Sequence, residues 1–139
     1  MKKVIFYIFF VFALGCTSDE ELTDEKSLNP IIGKWHYYSY TTADEEKTYD
    51  ECKQKGYFLF NKDGTGENTT YFHRDLNCYE DISKKLTWSL DDSTYIIKIF
   101  SQGGYGGILS FPIIYVHQGV IYENILQING TLNCIKNPN

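Results

Sequence analysis

The sequence predicts an all-β domain, an antiparallel up-and-down meander of about eight strands that closes into a small barrel. Residues 86–90 alternate apolar and polar side chains, which is the period of a strand with one buried face. Asp-Gly at 63–64 and Asn-Gly at 129–130 are strong hairpin signals. No stretch shows a convincing helical period, and residues 44–55 are the only candidate for a helical turn.

Eight strands follow one another with short connections, as β-rich segments bounded by turn residues indicate. In chain order they are 33–42, 56–61, 65–73, 85–90, 94–101, 108–116, 120–128 and 131–136.

Turns are expected at 62–64, 91–92, 117–119 and 129–130, and the glycine-rich residues 101–107 form a loop. Closure into a barrel removes the unpaired edges that such a meander would expose. Pro112 cannot donate to a strand ladder, so a bulge or a locally open edge is expected there. A barrel of eight strands encloses side chains or one small ligand.

The N-terminus reads as an export signal over residues 1–15, with Lys2 and Lys3 ahead of an apolar run over 4–14. That run of eleven residues spans only ~17 Å as a helix. Because the hydrocarbon core of a bilayer is ~30 Å thick, the run is too short for a permanent membrane span.

Residues 13–16, Ala-Leu-Gly-Cys, resemble a lipobox, where a lipoprotein signal peptidase cuts before an acylated cysteine. Cys16 would then carry fatty acyl chains such as palmitate and anchor the protein to a membrane. The alternative is a plain secretory signal in which Cys16 is incidental. Residues 16–30 would form an acidic flexible tether, and residues 31–139 the barrel domain.

Ser18, Asp19, Glu20 and Glu21 follow the lipidation site. A serine with acidic residues at this place resembles a lipoprotein surface-export signal of one large group of Gram-negative bacteria. The resemblance implies an outer-membrane lipoprotein facing the cell exterior. The alternative is a solvated tether that carries no export signal.

Charge and side-chain chemistry exclude some functions. Removing residues 1–15 takes away two lysines and no acids, which moves the formal charge from −5 to −7. Such an acidic chain is a poor binder of nucleic acid. His36, His73 and His117 lie in or beside three different strands, and no short-spaced pair indicates a metal site. We therefore expect no enzyme, no cofactor and no metal, and a monomer.

Cys52 and Cys78 are the natural disulfide pair in an oxidising compartment. If Asp63 and Gly64 centre the hairpin, residue i faces residue 127 − i, and the two cysteines come to one end of it. The alternative is that both are free. Cys134 reads as a small buried residue.

Gly33-Lys34-Trp35 opens the first strand, and Phe-Leu-Phe-Asn-Lys-Asp-Gly-Thr-Gly at 58–66 and Leu-Thr-Trp-Ser-Leu at 86–90 follow. With Cys52 and Cys78 between them, this order is similar to the lipocalin-like domains of bacterial surface lipoproteins, over residues 31–136. The resemblance implies that Gly33 and Trp35 mark the closed end of the barrel. It also implies an arginine against the tryptophan, for which Lys136 is the nearest basic residue.

Two functions stay open. The barrel binds a small apolar ligand in an aromatic-lined cavity, or a filled barrel presents a surface that recognises a protein or glycan. Alternation sends Trp35 inward and Tyr38 and Tyr40 outward, and Tyr105 stands at the tip of the glycine-rich loop. Exposed tyrosines suit recognition, although tyrosine is also simply a preferred strand residue.

Overall fold

A computed structural model of the chain describes residues 29–43, 45–105 and 109–136, without the side chains of 104, 105, 109 and 110. Strands predominate in these ranges, and eight of them form a closed antiparallel barrel, as predicted. In chain order the elements are β1 (Gly33–Thr41), β2 (Glu46–Thr48), α1 (Glu51–Gln54), β3 (Tyr57–Phe60), β4 (Thr65–Thr69), β5 (Tyr71–Arg74), β6 (Asn77–Glu80), β7 (Lys84–Asp91), β8 (Thr94–Tyr105), β9 (Leu109–Tyr122), β10 (Ile125–Ile128) and β11 (Leu132–Ile135).

β1 closes the barrel because it pairs with a strand from each end of the meander. Its first half lies against β3, with Trp35 opposite Phe58. Its other edge lies against β11, with Tyr37 opposite Cys134 and a register shift just after Tyr37. The order around the barrel is β1, β3, β4, β7, β8, β9, β10 and β11, and β2 extends the sheet beside the end of β1.

Side chains on alternate strand positions fill the barrel. Phe58 and Phe60 stack with ring centroids 5.9 Å apart. Phe60 meets the Trp88 ring edge-on at 6.3 Å. These rings belong to one cluster whose buried members are Ile31, Trp35, Phe58, Phe60, Leu86, Tyr95, Ile97, Ile99, Leu126, Ile128 and Cys134.

The β3–β4 hairpin corrects the predicted register by one residue. Tyr57 faces Thr69 and Phe60 faces Gly66, so the paired numbers sum to 126 rather than 127. The loop has three residues because Gly64 adopts φ +82° after the turn. A glycine in this left-handed position is typical of a three-residue hairpin loop.

The strand predicted over 65–73 is two strands in different sheets. β4 stays in the barrel, whereas β5 pairs only with β6, in a segment expected to be a polar loop. The turn between β5 and β6 includes Asp75 with φ 55°, a conformation that aspartate tolerates better than most residues. This hairpin lies outside the barrel sheet.

The loop over 101–107 and the turn over 117–119 are also corrected. β8 continues to Tyr105, and β9 runs through residues 117–119 without interruption. Gly119 is buried there, where an added Cβ would lie 3.2 Å from Leu126 Cδ1. The chain turns instead after Tyr122, next to Glu123 with φ 53°.

Pro112 lies at an open edge. The β8–β9 register is continuous from Tyr95 to Tyr105, so no bulge occurs there. β10 pairs with β9 only over Gly119–Tyr122, and no described strand pairs with 109–118 on the side away from β8. Of the two predicted readings of Pro112, the open edge is confirmed.

Candidate functional site

The closed end of the barrel is built around Trp35, which is 2% exposed. Its indole Nε1 donates to the Ile31 carbonyl oxygen at 2.7 Å. The Lys136 ammonium lies 5.1 Å from the centroid of the tryptophan ring and donates to the Pro30 carbonyl oxygen at 2.7 Å. Lys136 thus takes the place against the tryptophan for which the resemblance implied an arginine.

Gly33 and Lys136 lie next to each other at this closed end. Gly33 begins β1 with φ +120°, a backbone conformation that favours glycine. The Lys136 side chain passes close by, with Cε 3.5 Å from the place of a Cβ on Gly33. Partial burial lowers the pKa of Lys136. The cation is therefore held against the ring at a desolvation cost.

Polar side chains complete the opposite part of the interior. Asn68 donates from Nδ2 to the Tyr37 hydroxyl oxygen at 2.6 Å. Ser39, 1% exposed, donates to the Glu46 carboxylate, and Asn133 Nδ2 donates to the same carboxylate at 2.9 Å. Among the described residues no buried side-chain polar atom lacks a partner. The buried polar side chains of the described interior are therefore satisfied.

Concave sites lie along the strands of the barrel. One cleft of about 680 Å³ runs along the start of β7 and the adjoining parts of β8 and β9. Phe100 lies between the inward positions Ile99 and Ser101, so its ring projects outward, 38% exposed. We call this the wall cleft, lined by Asp81, Ile82, Ser83, Lys84, Lys85, Phe100, Ser101, Gln102 and Pro112.

The wall cleft combines apolar surface with positive charge. Ile82 is 82% exposed at its edge. Lys84 and Lys85 enter it, and neither forms an ion pair with any residue that the structure describes. Asp81 is the one acid of the lining, and it already accepts hydrogen bonds from Thr70 and from the Ile82 amide. An amphiphile with an acidic group would match this surface.

Two further clefts flank this surface. A cleft of about 510 Å³ on β3, β4 and β7 shares Lys85 and Phe100 with the wall cleft, so the two form one continuous groove. Another, of about 430 Å³, lies by the closed end beside Pro30 and Tyr95.

The tyrosines proposed for recognition differ in how far their side chains are exposed. Tyr38 is 42% exposed and faces outward, as alternation predicted. Tyr40 is half-buried because its ring packs on Tyr49 at 4.8 Å between centroids. Tyr105 ends β8 rather than standing at a loop tip, and its side chain is not among those described.

The predicted disulfide is confirmed. Cys52 in α1 and Cys78 in β6 are bonded, with Cα atoms 5.6 Å apart. The bond ties the β1–β3 connection to the β5–β6 hairpin outside the barrel. Cys134 is fully buried in β11, as predicted, and burial raises the pKa of its thiol.

The histidines are dispersed, each with its own neighbour. His36 meets the Tyr57 ring at 6.0 Å, and partial burial lowers the pKa of its imidazole. His73 lies 3.3 Å from the Asp50 carboxylate. His117 contacts Asn129 at 2.7 Å.

The Ser39 hydroxyl has Glu46 and Asn133 as partners but no imidazole within the described ranges, so no activated serine is formed there.

Sequence reasoning missed the wall cleft. Lys84 lies just before the strand predicted over 85–90, Lys85 begins that strand, and Phe100 lies within the strand predicted over 94–101. The signal that could have indicated it is an apolar residue at an outward strand position, near a lysine pair at the start of the preceding strand.

Several proposed residues lie outside the described ranges. They are the lipidation site Cys16 and the export residues Ser18, Asp19, Glu20 and Glu21, together with the export signal over 1–15. Within the described ranges, no helix has the length and apolar character needed to cross a bilayer.

A family model described as a lipocalin-like domain matches residues 31–113, which is more than half of the chain. Proteins of this family are typically binding proteins rather than enzymes, and its barrel is a small-ligand-binding fold. Neither a curated protein nor a solved structure gives a significant match. From its barrel and this match, the chain belongs to the family of lipocalin-like domains.

Proposed function

We propose that the protein is a lipid-anchored outer-membrane lipoprotein, exposed to the cell exterior, whose barrel binds a small apolar ligand carrying an acidic group. The observation that carries the ligand proposal is the wall cleft of about 680 Å³, in which exposed Phe100 and Ile82 stand beside Lys84 and Lys85. The cluster of buried side chains inside the barrel favours this cleft over an enclosed cavity.

The ligand chemistry follows from the two halves of the cleft. Apolar surface on Ile82, Phe100 and Pro112 favours an alkyl or aromatic body. Lys84 and Lys85 form no ion pair within the described ranges, and such ammonium groups favour a carboxylate or phosphate head. The mature chain is acidic overall and repels an anionic head elsewhere on its surface. The positive charge of the two lysines therefore places the head of the ligand in this cleft.

Dodecanoate and its uncharged counterpart dodecanol test the site. We expect dodecanoate to bind the mature domain more tightly than dodecanol. A Lys84→Ala, Lys85→Ala double variant should weaken dodecanoate about tenfold and leave dodecanol nearly unchanged. Phe100→Ser should weaken both. Affinities from isothermal titration calorimetry provide the comparison.

A matched control is Lys55→Ala with Lys62→Ala, two lysines outside the cleft lining. This variant should bind dodecanoate like the parent. An equal loss of affinity in both double variants would mean that only the net charge of the protein matters. That result would contradict binding in the wall cleft.

Anchoring rests on Cys16 and is tested separately. Cys16→Ser should block acylation and release or mislocalise the protein in cell fractionation. A Cys16→Ser protein that still partitions with membranes as a lipid-modified species would contradict the anchor.

Surface exposure rests on Asp19, Glu20 and Glu21. Neutralising all three should keep the protein acylated but protect it from protease added to intact cells. Unchanged access to the protease would leave these residues as a solvated tether only.

Recognition of a protein or glycan without an internal ligand is the second candidate, and the packed core together with exposed Tyr38 favours it. Two results together would support this alternative. The parent protein would fail to bind dodecanoate but would bind an array of cell-surface glycans, and the Tyr38→Ser variant would not bind the array.

A further inference from the structure

The edge of β9 that faces away from β8 has no strand partner over residues 109–118 within the described ranges. Gln118 shows which backbone groups lie on this edge. Its amide donates to Asn129 Oδ1 at 2.9 Å and its carbonyl accepts from the Asn129 amide at 2.7 Å, so both groups point away from β8. Because the β8–β9 register is unbroken, alternation places the backbone groups of Ile114 and Val116 on the same edge.

Apolar side chains cover both faces of this edge. Tyr115 pairs with Ile99 and shares its face of the sheet, whereas Ile114 pairs with Phe100 and shares the opposite face. Ile114, Tyr115 and Val116 are 53%, 47% and 59% exposed. Consecutive large apolar residues at an unpaired strand edge are a template for pairing with another strand.

The sequence around the open edge carries no formal charge. Residues 99–122 contain no aspartate, glutamate, lysine or arginine, although 22% of the chain is charged and its formal net charge is −5. Two copies of such an acidic chain repel each other over much of their surface. Along β9 they can approach without placing like charges opposite each other. A bilayer interior is a poorer occupant, because the backbone groups of an open edge would stay unpaired in hydrocarbon.

We propose that two copies of this chain pair through their β9 edges, antiparallel and related by a two-fold axis at Tyr115. In this register Tyr115 lies opposite Tyr115 of the partner subunit. Ile114 lies opposite Val116 of the partner subunit, and this pair exchanges two backbone hydrogen bonds. The dimer differs from the monomer expected from the sequence, and it does not depend on a ligand in the wall cleft.

Pro112 and Gln118 select this register. Pro112 lies at an open-edge position and has no N–H to donate. An axis at Ile114 would place Pro112 opposite Val116 of the partner subunit, whose carbonyl would then lack a donor. An axis at Val116 would need the backbone groups of Gln118, which already bond to Asn129. The axis at Tyr115 avoids both conflicts.

Cysteine cross-linking tests the register in the full-length protein. Opposite residues of a non-hydrogen-bonded antiparallel pair have Cα atoms ~4.5 Å apart, which a disulfide can span. Tyr115→Cys should therefore form a covalent dimer when intact cells are mildly oxidised. Phe111→Cys is the matched control, because Phe111 is 46% exposed on the same face of β9. Its own copy would lie ~27 Å away along the strand, so this variant should stay monomeric.

Val116→Pro tests the backbone hydrogen bonds. The Val116 amide points away from β8, so its loss leaves the β8–β9 pairing intact. Sedimentation velocity of the purified protein should show dimers whose share rises with concentration. Val116→Pro should weaken dimerisation about tenfold or more, whereas Val116→Thr, which keeps the amide, should dimerise like the parent. Circular dichroism checks that the strand content of both variants is unchanged.

Three results would overturn the proposal. They are a parent protein that stays monomeric up to about 1 mM, undiminished dimerisation of a folded Val116→Pro variant, and equal cross-linking of the two cysteine variants. A monomeric parent that instead co-sediments with vesicles of phosphatidylethanolamine and phosphatidylglycerol, and loses this binding in Ile114→Ser, would assign the edge to a lipid surface and also overturn the dimer.

Discussion

Lys136 is a single residue whose contacts explain its place at the closed end. It lies over the Trp35 ring and donates to the Pro30 carbonyl. A cation over an aromatic ring and one charge-assisted hydrogen bond each contribute on the order of 1 kcal/mol. Both interactions join the end of the chain to the segment that precedes β1.

Replacing Lys136 with methionine should lower the free energy of unfolding by about 1 kcal/mol, because it removes the charge and the donor but keeps the apolar stem. Lys136→Arg should retain the parental value, since a guanidinium also stacks and donates. Urea unfolding followed by tryptophan fluorescence measures both. Equal stability of the methionine and arginine variants would mean that only the stem matters.

Glu46 makes stability depend on pH. Hydrogen bonds from Ser39 first, and then from Asn133, lower the pKa of its carboxyl below the ordinary value of 4.5. A depressed folded-state pKa adds stability that is present above the unfolded value and is lost as pH falls through the folded one. The stability difference between the parent and Glu46→Gln should therefore shrink below about pH 4.5.

Unfolding of both proteins between about pH 7 and pH 3 measures this difference. Glu123→Gln, in an exposed turn, provides the control and should follow the parent. A difference that stays constant over the whole range would show that the Glu46 carboxylate is not coupled to folding.

At the scale of elements, the disulfide holds two segments that have little apolar surface of their own. It closes a loop with a sequence separation of 26 and joins α1 to the β5–β6 hairpin. In the chain-entropy account such a loop contributes about 3 kcal/mol, by a mechanism that depends on the reference state.

A Cys52→Ser, Cys78→Ser double variant should lose about 3 kcal/mol of unfolding free energy. A reductant should lower the melting temperature of the parent and leave that of the double variant unchanged. The same sensitivity to reductant in both proteins would contradict this role of the bond.

The eight barrel strands were predictable, and their ends were not. The period of β7 and the turns at 62–64 and 129–130 are local features, and all three are present. Gly119 reads as a turn residue but serves close packing against Leu126 and Ile97. A glycine that admits a neighbouring side chain cannot be told from a turn glycine without the neighbour.

The β5–β6 hairpin was missed for a similar reason. Its strand residues are mostly polar or aromatic, and five of the eight are exposed. A covalent bond to α1 and the pairing of two short strands stabilise the hairpin. Neither feature produces an apolar alternation that could be recognised in the sequence. The register of β3 and β4 was displaced by one residue because the left-handed Gly64 lengthens the loop.

For the whole molecule, the strand order decides which side chains line each cleft. The cysteine pair followed from the predicted hairpin register, and the closed-end residues Gly33 and Trp35 followed from the family resemblance. The wall cleft did not, because it assembles Lys85, Phe100 and Pro112 from three strands of the barrel. Only the strand order brings these side chains together.

Nuclear magnetic resonance of the isotope-labelled mature domain, titrated with dodecanoate, tests most directly whether the ligand binds on the barrel wall. The expected result is saturable shifts of the backbone amides of Ile82, Lys85 and Phe100, with the amides of Ile97 and Leu126 in the core nearly unchanged. Shifts concentrated at Ile97 and Leu126, or no saturable shifts at all, would contradict binding in the wall cleft.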